Sequence, residues 1–218
     1  MSSFSNTEGH IVMDRMIAAI QENKQYLSDI DGAIGDGDHG VNMNKGFTMA
    51  QEALAKDPGD LAHGMKILAR ILMMRIGGSM GPLYGKLFKT LGGTFSDHVR
   101  IDAPLFREAL LRVRQTMEVL TPARTGDKTL VDALYPAITA FDRALEEGRG
   151  FSEALGEMKN AAERGRDATR EMVAKLGRSS RLGERSRGVI DAGAASCALL
   201  LGVMADGITE LLDHEKSM

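Results

Sequence analysis

The chain has 218 residues, enough for one well-buried domain but not for two with sizeable cores. A formal net charge of −3 lacks the basic footprint of a nucleic-acid binder, and a single cysteine, Cys197, excludes an intrachain disulfide. Hydrophobic content of 43% with 26% charged residues is ordinary for a globular protein. The N-terminal residues Met1 to Glu8 lack the basic and apolar regions of a signal peptide. The longest nearly apolar stretch, Ala192 to Ala205, falls short of the ~20 residues that span a bilayer. The expectation is one cytoplasmic domain over residues 1–218, with neither nucleic acid nor membrane as partner.

Helical spacing runs through the chain. Ile11, Met16, Ile17 and Ile20 repeat as in an amphipathic helix ending near Leu27. Met43, Phe47 and Ala50 open another, stopped by Asp57-Pro58-Gly59. Leu61 to Ile76 is apolar at helical intervals, and Leu83 to Leu91 reads as a short helix closed by Gly92-Gly93. Pro104 suits the first turn of a helix reaching Leu120. Lys128 to Glu147 follows, with Asp127 as expected N-cap and Pro136 marking a kink or a later start. Ser152 to Leu176 and the uniformly apolar Ala192 to Leu212 complete the set. No alternating strand of four or more residues occurs. The fold class is therefore all-α, about eight helices with functional loops at one end, and the many Met and Leu residues are core filler.

Residues 29–40 hold four aspartates and four glycines, in the order Asp-Ile-Asp-Gly-Ala-Ile-Gly-Asp-Gly-Asp-His-Gly. Asp29, Asp31, Asp36 and Asp38 repel one another as bare charges, and a hard divalent cation answers that repulsion. Mg²⁺ takes one or two carboxylates together with phosphate oxygens and waters, so this loop has room for two ions and a polyphosphate; a solvated turn is the plainer alternative. Gly35 to Gly40 formally matches G-x-G-x-x-G, but no strand precedes it and Asp36 and Asp38 would repel a pyrophosphate. The glutamate that ends an EF-hand loop is missing, no P-loop sequence occurs, and no Cys or His cluster has zinc spacing.

Three further loops are glycine-rich. Gly77-Gly78-Ser79-Met80-Gly81-Pro82 precedes a helix whose free N–H groups suit a phosphate. Thr125-Gly126-Asp127-Lys128-Thr129 reads equally as capping or ligand contact. Gly177 to Gly193 carries Arg178, Arg181, Arg185 and Arg187, and arginine binds phosphate bidentately. Carboxylates, glycine-rich amides and arginines are the recurring parts of a phosphoryl-transfer site.

Four blocks in order, Asp31 to Met43, Gly78 to Gly85, Gly126 to Leu134, and Leu182 to Gly188 with Asp191 to Ala194, resemble the nucleotide-binding (L) subunit of dihydroxyacetone kinase. The resemblance covers essentially the whole chain. It implies a barrel of eight antiparallel helices binding ADP or ATP with two Mg²⁺ at one end. By motif position Asp31, Asp36 and Asp38 are the metal ligands. The nucleotide site would be lined by His39, Gly40, Val41, Asn42, Gly78, Ser79, Met80, Thr121, Leu130, Arg178, Asp191, Ala192 and Gly193. Arg178 would steady the transferring phosphoryl group, and no residue of this chain would act as general base. The family binds its hydroxyketone covalently on a separate K subunit, and some members retain ADP and are recharged by a phosphoprotein of the sugar phosphotransferase system. Met80, Ala192 and Arg181 stand where relatives usually carry a small residue, a proline and a tyrosine. Dihydroxyacetone and a four-carbon ketose remain alternative acceptors. A nucleotide-loaded regulator of a transcription factor and a self-sufficient hydrolase are the rival functions.

Overall fold

The computed structural model describes residues 2–217. The short strand β1 (Ser3–Ser5) leads into α1 (His10–Glu22), α2 (Lys24–Ile34), α3 (His39–Lys56), α4 (Leu61–Arg75) and α5 (Met80–Phe95). Strand β2 (Arg100–Asp102) precedes α6 (Ala103–Leu120), α7 (Val131–Glu146) and α8 (Phe151–Ala168). Two 3₁₀ segments, Thr169–Glu171 and Ser179–Ser186, then lead to the long α9 (Ala192–Lys216). Eight of these helices, α1 and α3 to α9, alternate in direction, each packing on its chain neighbour, and α9 against α1 closes the ring. The eight-helix all-α barrel expected from the sequence is present, with α2 as an additional short helix.

Inside the ring lies one apolar core drawn from every helix, including Met16, Phe47, Leu68, Phe88, Phe106, Phe141 and Leu201. By length and composition α9 could cross a membrane, but 67% of its apolar window is buried among the other helices. It is the core stave of the barrel. Its C-terminal part meets the start of the chain: β1 pairs antiparallel with β2, and Glu215 accepts from the Ser5 backbone N–H at 3.1 Å and pairs with Arg100. Strand β1 and the C-terminal end of α9 therefore lie at the end of the barrel opposite the N-terminus of α9.

Several boundaries differ from the sequence reading. The first helix breaks at Asn23, whose side-chain amide donates to the Ala19 carbonyl at 2.9 Å, and α2 then carries Asp29 and Asp31 on helix rather than loop. Gly92 and Gly93 lie within α5 and do not end it. A Cβ on Gly92 would stand 2.8 Å from the Ala62 carbonyl oxygen, so this glycine lets α4 and α5 approach closely. The helix of residues 151–168 stops eight residues before Leu176. Asp127 does not cap α7, which starts at Val131 with Pro136 inside it. Instead the buried Asp132 reaches back, accepting from the Gly126 and Thr129 amides at 2.5 and 2.7 Å. Asp127 accepts from the Arg124 amide at 2.7 Å and from Lys175 Nζ at 2.9 Å.

Candidate functional site

A cleft of about 500 Å³ opens where the barrel's loops gather. Two larger grooves, of about 680 and 850 Å³, are lined by none of Asp31, Asp36 and Asp38. Chemistry, not size, selects the site.

On one wall Asp31 in the last turns of α2, Asp36 in the connecting loop and Asp38 at the N-cap of α3 each offer an oxygen, all within 4.8 Å of one another. They form a hard-oxygen donor set that fits a divalent cation of the Mg²⁺ type. Asp29 is not among them: it faces outward and accepts from Gln25 at 2.7 Å. Burial, and next the charge of Asp36, raise the Asp38 carboxyl above its ordinary range, with Arg178 partly offsetting them. Arg178, carried on the segment between α8 and α9, pairs directly with Asp36.

His39 opens α3, and its backbone N–H donates to Asp31 at 3.2 Å. The ring lies inward, with Nε2 2.8 Å from Ser196 Oγ, and Ser196 Oγ lies 2.6 Å from the Tyr84 hydroxyl. Tyr84 also donates to the Gly193 carbonyl at 3.1 Å. This chain ties α3, α5 and α9 together below the cleft. Burial pushes the imidazole down to about 4, so it is neutral at physiological pH.

The opposite wall supplies anion-binding groups. Helix α5 begins after Ser79 without a side-chain cap, leaving its first N–H groups available to an anion. Gly77 and Gly78 face open space before α5. Helix α9 is capped by its own Asp191, which accepts from the Ala194 amide at 2.8 Å. Burial, reinforced by the nearby charge of Asp132, raises the Asp191 carboxyl to about 7.

The sequence-derived set thus converges. Asp31, Asp36, Asp38, His39 and Asn42 line the cleft from α2 and α3, and Gly78, Ser79 and Met80 from the start of α5. Thr121, Leu130, Arg178, Asp191, Ala192 and Gly193 line the remainder. Gly40 and Val41 do not line it. Gly40 is buried where α3 crosses α2, so tightly that a Cβ would stand 2.0 Å from the Lys24 carbonyl oxygen. Val41 points outward at 48% exposure. Met80 lies against the core at 8% exposure, its side chain closing the cleft floor.

Sequence reasoning overlooked Ser196, Tyr84 and Lys128 as members of this end. Ser196 gave a faint signal as a hydroxyl within an apolar run. Tyr84 and Lys128 sat inside quoted motifs, but their partners are distant in sequence. Lys128 is only 1% exposed.

Comparison with known proteins agrees with this geometry. The profile of the DAK2 domain matches residues 33–206. The ADP-binding subunit DhaL of a PEP-dependent dihydroxyacetone kinase from Listeria innocua is 36% identical over 85% of this chain and 88% of its own length. A D-erythrulose kinase from Mycolicibacterium smegmatis is 32% identical over 90% of this chain, which spans only 34% of that protein. Among solved structures, the dihydroxyacetone kinase of C. freundii superposes with a TM-score of 0.66 at 22% identity, covering 93% of this chain and 35% of that one. The same enzyme in complex with AMP-PNP and Mg²⁺ gives a TM-score of 0.63 at 21% identity, covering 89% of this chain and 33% of that one. With 31–36% identity to several ADP-binding subunits along most of its length and a matching domain profile, the chain belongs to the DAK2-domain family of dihydroxyacetone kinase L subunits.

Proposed function

We propose that this chain is the nucleotide-carrying half of a two-component phosphotransferase, delivering a phosphoryl group to a small hydroxyketone held by a separate K-type subunit. One observation carries the reading: three carboxylates, an arginine and the uncapped N-terminus of α5 share a single cleft. A nucleoside diphosphate tail with its metal needs those parts. Asp31, Asp36 and Asp38 would hold Mg²⁺, taken as two ions, which supplies charge neutralisation for the phosphate oxygens. The amides at Ser79 and Met80 would take phosphate oxygens, and Leu130 with residues 191–193 would bound the base and sugar. Arg178 would turn from Asp36 to the transferring group, where a fixed guanidinium stabilises developing charge. The neutral imidazole of His39 stays bonded to Ser196, so proton transfer from the acceptor hydroxyl falls to the partner subunit.

The names of full-length relatives support a particular mode. They are ADP-binding subunits of PEP- or PTS-dependent dihydroxyacetone kinases, whereas the erythrulose kinases match through about a third of their length. A retained ADP, rephosphorylated by a phosphotransferase-system protein, is therefore the favoured donor cycle, with dihydroxyacetone as acceptor. The matched relatives named above are kinases or kinase subunits, which gives a regulatory role no support.

Native mass spectrometry of the purified chain should show bound ADP. Mixed with a K-type subunit, a phosphoenolpyruvate-driven phosphotransferase system and dihydroxyacetone, the chain should yield the sugar phosphate, while alone it should release no phosphate from ATP. An empty chain that yields product from free ATP would replace the donor cycle; no product from either donor would overturn the kinase assignment.

A further inference from the structure

Lys128 is a buried ammonium that the chemistry above leaves unused. It is 1% exposed and sits in the left-handed backbone region at φ 63°, which side-chain-bearing residues seldom adopt. Nζ donates to three backbone carbonyls: Val189 at 2.6 Å, Thr169 at 2.8 Å and Met172 at 3.2 Å. All three N–H donors of the ammonium are thereby used. These carbonyls are not scattered. Thr169 and Met172 lie just before the arginine-bearing segment and Val189 just after it, so one side chain grips both stems of the loop that carries Arg178. Other bonds close the same neck: Gly188 N–H to the Arg170 carbonyl at 2.7 Å, and Asp191 N–H to Thr169 Oγ1 at 3.0 Å. Outside the neck, Arg178 is held by Asp36.

We propose that Lys128 is a positioning residue, a pin that clamps the neck of the 172–189 loop so that Arg178 projects over the carboxylate cluster. The proposal rests on the nucleotide-site reading for its consequence, but the clamp itself is a property of the free protein. An ammonium suits this task because it satisfies several carbonyls converging from different directions, which a planar guanidinium does not. Removing it takes the ammonium donor from the Met172 and Val189 carbonyls, leaves Thr169 with the Met172 N–H alone, and closes the neck by fewer bonds. Lys128 sits in the loop before α7, where burial lowers the affinity of Nζ for its proton and the nearby Asp191 opposes that.

The test is Lys128→Met, which keeps length and removes the donors. In the nucleotide-free protein, hydrogen exchange at the neck amides, Gly188 and Asp191 among them, should quicken about tenfold or more while α4 and α5 keep their protection. Mg-ADP titration should show about a tenfold loss in affinity. Arg178→Ala should then cost far less in the Lys128→Met background than in the wild type, because the arginine is already unplaced. Unchanged neck exchange, or a full-sized Arg178→Ala effect in both backgrounds, would overturn the clamp. If Mg-ADP does not bind even the wild type, the nucleotide reading falls and the exchange data alone decide the clamp. Should Lys128→Met not fold, side-chain ammonium NMR of the wild type decides: a slowly exchanging Lys128 Nζ coupled to carbonyls is expected, and exchange as rapid as at an exposed lysine overturns it.

Discussion

The two ends of this barrel are built on opposite principles. Far from the cleft, Phe4, Phe95, Phe106, Phe141 and Phe151 cluster: Phe106 lies nearly parallel to Phe95 at 6.0 Å and tilted against Phe141 at 5.3 Å and Phe151 at 5.6 Å between ring centroids, while Phe4 tilts against Phe151 and Phe141 meets Phe151 edge to face. Each such pair adds to ordinary apolar burial. At the cleft end, three carboxylates crowd together and buried titratable groups stand off their usual ranges. The aromatic cluster lies at one end and the crowded charges at the other.

The sharpest way to break this contrast is at its apolar pole. Phe106→Ala should cost about 4 kcal/mol of stability, as buried aromatic truncations do, while leaving Mg-ADP affinity per folded molecule nearly unchanged; denaturant unfolding and calorimetric titration read the two separately. A large affinity loss would join the two ends. Next in size, Asp36→Asn with Asp38→Asn should weaken Mg-dependent ADP binding by roughly 100-fold or more, about 2.7 kcal/mol, with helical circular dichroism retained. Undiminished affinity would refute the metal assignment.

The pH response should be smaller. Because burial raises the Asp191 carboxyl to about 7, the folded state favours the protonated form. The stability this contributes is complete below the unfolded value of about 4 and is lost as pH rises through about 7. Asp191→Asn keeps a competent N-cap and cannot ionise, so melting temperature should shift in favour of the variant between pH 5 and 8; a constant difference would mean that Asp191 ionises normally in the fold. Smallest of all, Lys159→Ala removes a surface pair with Asp206 between α8 and α9 and should cost less than about 1 kcal/mol; a greater loss in chemical denaturation would show that the α8–α9 seam depends on surface charge.

Much of the site was legible because its parts are local. Asp31, Asp36 and Asp38 lie within eight residues, and glycine-rich turns before apolar helices advertise open N-termini. The helices were legible from their periodicity, and the eight-stave ring agrees with the family resemblance. What the sequence hid depends on side-chain hydrogen bonds, some local and some to distant partners, and on close helix packing. Asn23 breaks the first helix with no proline or glycine to mark it. Gly92 reads as a stop until α4 is seen against it. Asp132 caps backward across the 126–129 turn, and Lys128 looks like an exposed polar residue until the carbonyls of residues 169–189 surround it. Gly40 and Val41 share a motif with Asp38 and His39, yet helix geometry turns them to other faces.

The first strand and the last helix meet at Glu215, diametrically away from the mouth of the cleft. A polypeptide tethered at either terminus would leave from the closed base, with the loops that receive nucleotide unobstructed. The same barrel can thus operate as a free-standing unit or as one segment of a longer chain without redesign of its working face, in keeping with relatives in which its counterpart is about a third of the protein.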